Sequence, residues 1–116
     1  MHDAIAYKVL TSDQLHRLES DGRFDGAPVD LADGYIHLST AAQLPETIAK
    51  HFAGQTDLQI VAVDLDALAD AVQWEESRGG QLFPHIHGAA ITLESVIAYS
   101  PLAHEPDGSI RLPVAS

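Results

Sequence analysis

Leu58-Gln59-Ile60-Val61-Ala62-Val63-Asp64-Leu65 (LQIVAVDL) is the most apolar run of the chain and reads as a strand central in its sheet. Its β-branched residues suit a pleated surface, and near-continuous apolarity is what a strand covered on both faces requires. Downstream, Asp66 is placed to cap a short helical turn over residues 67–71, and residues 72–75 read as another strand before the Ser77-Arg78-Gly79-Gly80 loop. Leu82-Phe83-Pro84-His85-Ile86-His87-Gly88 carries a proline, which cannot donate to a ladder, so an edge strand or a strand entrance is expected there. A further strand is read over residues 93–99, then a turn at Asp107-Gly108 and a last short strand over 109–112.

Upstream, residues 4–10 alternate, with Ile5, Tyr7 and Val9 on one face of a first strand. Thr11 and Gln14 have the spacing of a capping box, Leu15 and Leu18 form the apolar stripe of a short helix, and Gly22 stands where it ends. Residues 23–34 hold two Gly, one Pro and three Asp with little periodicity, and read as an ordered surface loop with a pinch of strand at Arg23-Phe24. Asp33-Gly34 is then a tight turn feeding a second strand, Tyr35-Ile36-His37-Leu38-Ser39. Ser39 or Thr40 caps the next helix, Pro45 fits its first turn, Leu44, Ile48 and Phe52 share one face, and Gly54 closes it. Five or six short strands with two or three short helices, the helices clustered early, predict an α+β fold with a mostly antiparallel sheet.

The chain has 116 residues, few enough for a single domain, and 46% of them are hydrophobic, enough to bury a core. No run approaches the roughly 20 apolar residues of a membrane span, and no basic flank precedes an apolar stretch at the N-terminus, so the cytosol is the expected location. The absence of Cys excludes disulfides, thiol catalysis and thiolate metal sites. A net charge of −11 argues against nucleic acid or an anionic membrane as partner, since both require a cationic surface.

The seven His are far above ordinary usage and leave imidazole as the main reactive group near neutral pH. His37 stands between Ile36 and Leu38 and therefore faces away from them, while His85 and His87, two apart on an extended segment, share a face. His37, His85 and His87 would make a three-His zinc site if they converged, and a metal-dependent hydrolase with it. The plainer reading has His85 and His87 as partly buried edge-strand residues bonded to backbone carbonyls. The residues favour that one, because neither H-E-x-x-H nor a paired Asp/His run is present, and no metal is expected. Ser39 shares a strand face with His37 but lacks the strand-turn-helix setting of a nucleophile, and a capping role suits it better. Glu75, between Trp74 and a Gly-Gly loop, is a carboxylate beside an aromatic wall, a setting that suits an acid or base, although a carboxylate so placed is more often a simple surface acid. His2, His16, His51 and His104 read as surface residues.

Tyr7-Lys8-Val9, Gly34-Tyr35-Ile36-His37-Leu38-Ser39-Thr40, a strand ending Val63-Asp64-Leu65, Trp74-Glu75 and Phe83-Pro84-His85-Ile86-His87-Gly88, in that order, resemble the domain of unknown function 952 family over nearly the whole chain. Members more often carry Tyr where this chain has His87. The family resembles in turn the ADP-ribosyltransferase-like fold, which implies two small, mostly antiparallel sheets with short helices and a cleft between them. Within that fold the RNA 2′-phosphotransferases are the most similar by motif, and they imply NAD as cofactor. Their His-Val-His-Leu-Ser strand matches at His37 and Ser39. Their ribose-contacting His is replaced by Lys8 or its neighbours, no phosphate-gripping Arg set has an equivalent among six basic residues, and no late catalytic Glu or Gln can be placed.

The reading that follows is a cleft lined by Tyr7, Lys8, His37, Ser39, His85 and Trp74-Glu75 that takes a nucleotide-like or other small ligand, with transferase chemistry as its active form. His37 and Ser39 would bond a ribose or phosphate, Tyr7 or Trp74 would stack on a flat ring, and Glu75 or His85 would act as acid or base. A noncatalytic ligand-binding or protein-interaction module is the alternative that the lost ribose-contacting His favours.

Overall fold

In a computed structural model that describes residues 3–113, the LQIVAVDL strand does lie in the middle of its sheet. The order is β1 (Ile5–Thr11), α1 (Ser12–Asp21), β2 (Arg23–Phe24), α2 (Pro28–Asp33), β3 (Ile36–His37), α3 (Leu44–His51), β4 (Leu58–Asp64), α4 (Leu65–Leu68), β5 (Val72–Glu76), β6 (Leu82–Ile86), β7 (Ile91–Thr92) and β8 (Val96–Pro101). The fold is α+β, with small antiparallel sheets. They are β1-β4-β8, β3-β6-β5 and a two-stranded β2-β7 ribbon, where the resemblance implied two sheets. His2 lies outside the described residues.

Period-two alternation along β1 and β4 divides the core into two layers. Ala6, Leu10, Val61 and Val63 face Leu15 and Leu18 of α1, Phe24, Ile36, Leu38, Ile86 and Ile91. Val9, Leu58 and Ile60 face the other way, onto Leu44, Ile48 and Phe52 of α3 and its flank. Each fully buried Leu or Ile in these layers contributes about 1.5–3 kcal/mol by removing apolar surface from water.

The first helix forms as its sequence dictates. Thr11 Oγ1 accepts from the Gln14 amide while Gln14 Oε1 accepts from the Thr11 amide, and Gly22 ends the helix at a φ of 76°, a conformation that disfavours any residue with a Cβ.

Five local expectations are corrected. Residues 23–34 are not simply loop: Pro28 opens α2, which places Asp30 in the interior. The cap of α4 is Asp64, whose carboxylate accepts from the Asp66 amide, not Asp66 itself. Neither Ser39 nor Thr40 caps α3 directly; Thr40 and Gln43 bond each other reciprocally one turn earlier, and Ser39 Oγ bonds Thr47 Oγ1 at 2.8 Å. Residues 93–95 form a 3-10 turn before β8, and the expected last strand is reduced to a bridge between His104 and Ile110.

The fifth correction matters most for the site. β6, with Pro84, is the middle strand of its sheet and not an edge. The carbonyl of Pro84 accepts from the Leu38 amide, so the side of Pro84 that lacks an N–H faces β3 just past its last paired residue, His37. The ladder has already ended there, and the missing donor is tolerated.

Candidate functional site

β1 joins the second sheet through one bridge, Tyr7 with Ser39, their amides and carbonyls exchanging bonds of 2.7 and 2.9 Å. A cleft of about 570 Å³ lies at this junction, lined among others by Tyr7, His37, Ser39, Thr47, Phe52, Phe83 and His85. That volume lies in the range of small-molecule sites, and the walls mix aromatic rings with a few polar groups.

Asp30 organises one side. It is 1% exposed, and its Oδ1 accepts from His37 Nδ1 at 2.7 Å, the His37 amide at 3.1 Å and Lys8 Nζ at 3.0 Å. Its Oδ2 accepts from the Ala27 amide at 2.7 Å and lies 2.8 Å from Lys8 Nζ. Burial alone would raise the Asp30 pKa, but His37, Lys8 and the Ala27 amide outweigh it and hold the carboxyl at about 2. Lys8 is pushed down from its ordinary value by burial, against the carboxylate beside it, and its third partner is the His37 carbonyl at 2.9 Å. Gly26 makes the arrangement possible: with φ at 136°, it passes so close that a Cβ there would meet Asp30 Cβ at 2.9 Å.

His37 therefore has its Nδ1 held by a buried carboxylate. Its Nε2 turns to Asp33 Oδ2 at 3.0 Å, and the Asp33 side chain is 45% exposed at the cleft margin. Ionised carboxylates only accept, so each ring nitrogen donates while both contacts stand, and Nε2, held by the more exposed Asp33, is the one a ligand can reach. This is the base-and-orienter geometry of a general acid or base.

The second constellation lies on one face of β3, β6 and β5, where register pairs His37 with His85 and His85 with Gln73. Glu75 and His87 sit on the diagonals of that row. Glu75 Oε1 takes both imidazoles, His85 Nδ1 at 2.8 Å and His87 Nε2 at 2.7 Å. His87 and then His85, by these bonds, hold the Glu75 carboxyl below its ordinary range. Burial pushes the His85 pKa down, against Glu75. Tyr35 packs edge-on against His85 with ring centroids at 4.3 Å, stacks on His87 at 4.9 Å and lies 4.7 Å from His37.

Of the residues singled out in the sequence, Tyr7, Lys8, His37, Ser39 and His85 line the cleft. Lys8 does so with its ammonium already engaged. Trp74 does not; it packs against the core from β5 and offers the cleft no stacking surface. Glu75 sits behind His85, with partners that are imidazoles and not the expected aromatic wall. Nor do His85 and His87 bond backbone carbonyls through these nitrogens. The three-His set does not form, because both ring nitrogens of His37 face carboxylates. Asp30 was missed, although Pro28 followed by Asp30 has the pattern of a helix N-terminus, and His51 lines the cleft while remaining exposed.

Residues 9–99 match the model of a family described as protein of unknown function, DUF952. The crystal structure of protein CC0527 from Caulobacter crescentus is 40% identical, covers 93% of this chain and 94% of its own, and superposes with a TM-score of 0.83. Its solution NMR structure matches at 39% identity over 95% of this chain and 94% of its own, with a TM-score of 0.78. Among curated proteins none matches the chain. Among the described residues no helix is long and apolar enough to cross a membrane.

Proposed function

The chain belongs to the DUF952 family, whose description assigns no function, and from the cleft itself we propose that it binds a nucleoside-like small molecule and exchanges a proton with it through His37. The observation that carries this is the placement of His37: it opens into a cleft of about 570 Å³ with Nδ1 fixed by a carboxylate that is itself buried. Tyr7 and Phe52 flank the space for a flat ring, and Ser39 and Thr47 offer hydroxyls for ribose oxygens. The ligand hydroxyl takes the place of the exposed Asp33 carboxylate at Nε2.

The lining suits the nucleoside end of NAD and not its diphosphate. Among the described residues Lys8 is the one Lys or Arg in the lining, and Asp30 already neutralises it. The 2′-phosphate of an RNA would meet the same shortage of free cations among the described residues.

A thermal-shift panel of adenosine, ADP-ribose, NAD, mononucleotides and 2′-phosphorylated RNA tests the reading. Adenosine should raise the melting temperature saturably, ADP-ribose should bind no more than about tenfold tighter, and His37→Ala should remove both shifts. No shift with any compound, or a shift that survives His37→Ala, overturns it.

A further inference from the structure

Glu75, His85 and His87 form a group that the nucleoside reading does not use. Each offers one ligand atom, Oε1, Nδ1 and Nε2, and the three atoms lie within 4.8 Å of one another. We propose that these three side chains bind a divalent transition-metal ion of the zinc type on the His85 face of the β3-β6-β5 sheet.

Two imidazole nitrogens and one carboxylate oxygen are a donor set that zinc takes in open, water-bearing sites. Around an ion with bonds of about 2.0–2.1 Å, tetrahedral ligand atoms stand about 3.3 Å apart. The separations of 2.8 and 2.7 Å from Glu75 Oε1 need to widen by about half an ångström each, while the two imidazole nitrogens, up to 4.8 Å apart, need to draw together by up to about 1.5 Å. Without metal, hydrogens on the two imidazoles bridge to the carboxylate; the ion takes the place of those hydrogens and keeps the same three atoms together.

The support is rigid where it must be and open where it must be. His85 is buried on the middle strand with β3 and β5 on either side, and Tyr35 packs on both imidazoles. The side chains of Glu75 and His87 are 43% and 41% exposed, which gives the ion a path in and leaves the remaining positions to water. Because His85 also lines the cleft, the ion would sit beside it, sharing that imidazole.

The test uses the full chain without an affinity tag, stripped with chelator and dialysed. Zn²⁺ is titrated by calorimetry, and Co²⁺ is read by its visible absorption. One equivalent should bind, with a Co²⁺ spectrum of four- or five-coordinate type. His87→Ala and Glu75→Gln should each weaken binding at least about tenfold, while His16→Ala, on the exposed face of α1, should leave it unchanged. Both ligand variants sit at exposed positions, and circular dichroism confirms their folding. Long-range imidazole ¹H–¹⁵N spectra of the unaltered chain give a reading free of any variant, since Zn²⁺ should shift His85 Nδ1 and His87 Nε2. Absence of a saturable one-equivalent site, or binding unaffected by both ligand variants, or resonances of His85 and His87 unmoved by Zn²⁺, overturns the proposal.

Discussion

Replacing Asp30 by Asn removes the charge on which the His37 side of the cleft is built while keeping the side chain's shape. Asp30 titrates at about 2 in the folded chain and near 3.8 in the unfolded one, and this difference alone is worth about 2.4 kcal/mol at pH 7. The larger consequence falls on Lys8, whose ammonium then stays buried with a neutral amide in place of its counter-ion. Breaking a buried pair on one side costs about 3–5 kcal/mol, whereas replacing both members by neutral groups is far milder. Urea unfolding at pH 7 should therefore show Asp30→Asn destabilised by about 3–5 kcal/mol, with Asp30→Asn/Lys8→Met recovering more than half of the loss. The pH dependence has a definite sign. A depressed carboxyl pKa gives stability that is complete above the unfolded value and disappears as pH falls through the folded one, so the unaltered chain should lose about 1 kcal/mol of this contribution by pH 3. The gap between the unaltered chain and Asp30→Asn should narrow by that amount. A loss below about 1 kcal/mol at pH 7, or a gap that does not change between pH 7 and pH 3, would refute the ion-pair account of this site.

Other outcomes follow from the same contacts. Gly26→Ala places a Cβ 2.9 Å from Asp30 Cβ at a φ of 136°, and thermal unfolding should show a loss of about 1–3 kcal/mol, with weaker adenosine binding as Asp30 shifts. Leu10→Ala, at a position with no exposed surface, should cost about 2–5 kcal/mol by chemical denaturation and leave zinc affinity unchanged. Ser39→Ala breaks the 2.8 Å bond to Thr47, with a loss near 1 kcal/mol in a urea melt and a separate loss of adenosine affinity by calorimetry.

Elements governed by local chemistry were legible from the chain itself. The capping box at Thr11 and Gln14, the stop at Gly22, the central strand at residues 58–64 and the outward turn of His37 depend on neighbours within a few residues, and all four are present. What escaped depends on partners far along the chain. Asp30 reads as one more surface acid until Lys8, 22 residues away, is brought beside it. Pro84 pointed to an edge, because nothing local reveals that β3 stops at His37 and leaves room for a missing amide hydrogen. The convergence of His85 and His87 on Glu75 required the β5-β6 register, which puts Glu75 opposite Phe83 and thus diagonal to His85. Of the β2-β7 ribbon, Arg23-Phe24 was legible as a pinch of strand, but its partner Ile91-Thr92 is too short for any alternation to announce it.

The account turns on the cleft at His37, and an amide ¹H–¹⁵N titration of the chain with adenosine examines it most directly. Saturable shifts should concentrate at Tyr7, His37, Ser39, Thr47 and Phe52, with the 3-10 turn at residues 93–95 unmoved. Shifts that never saturate, or that gather away from His37, would contradict it.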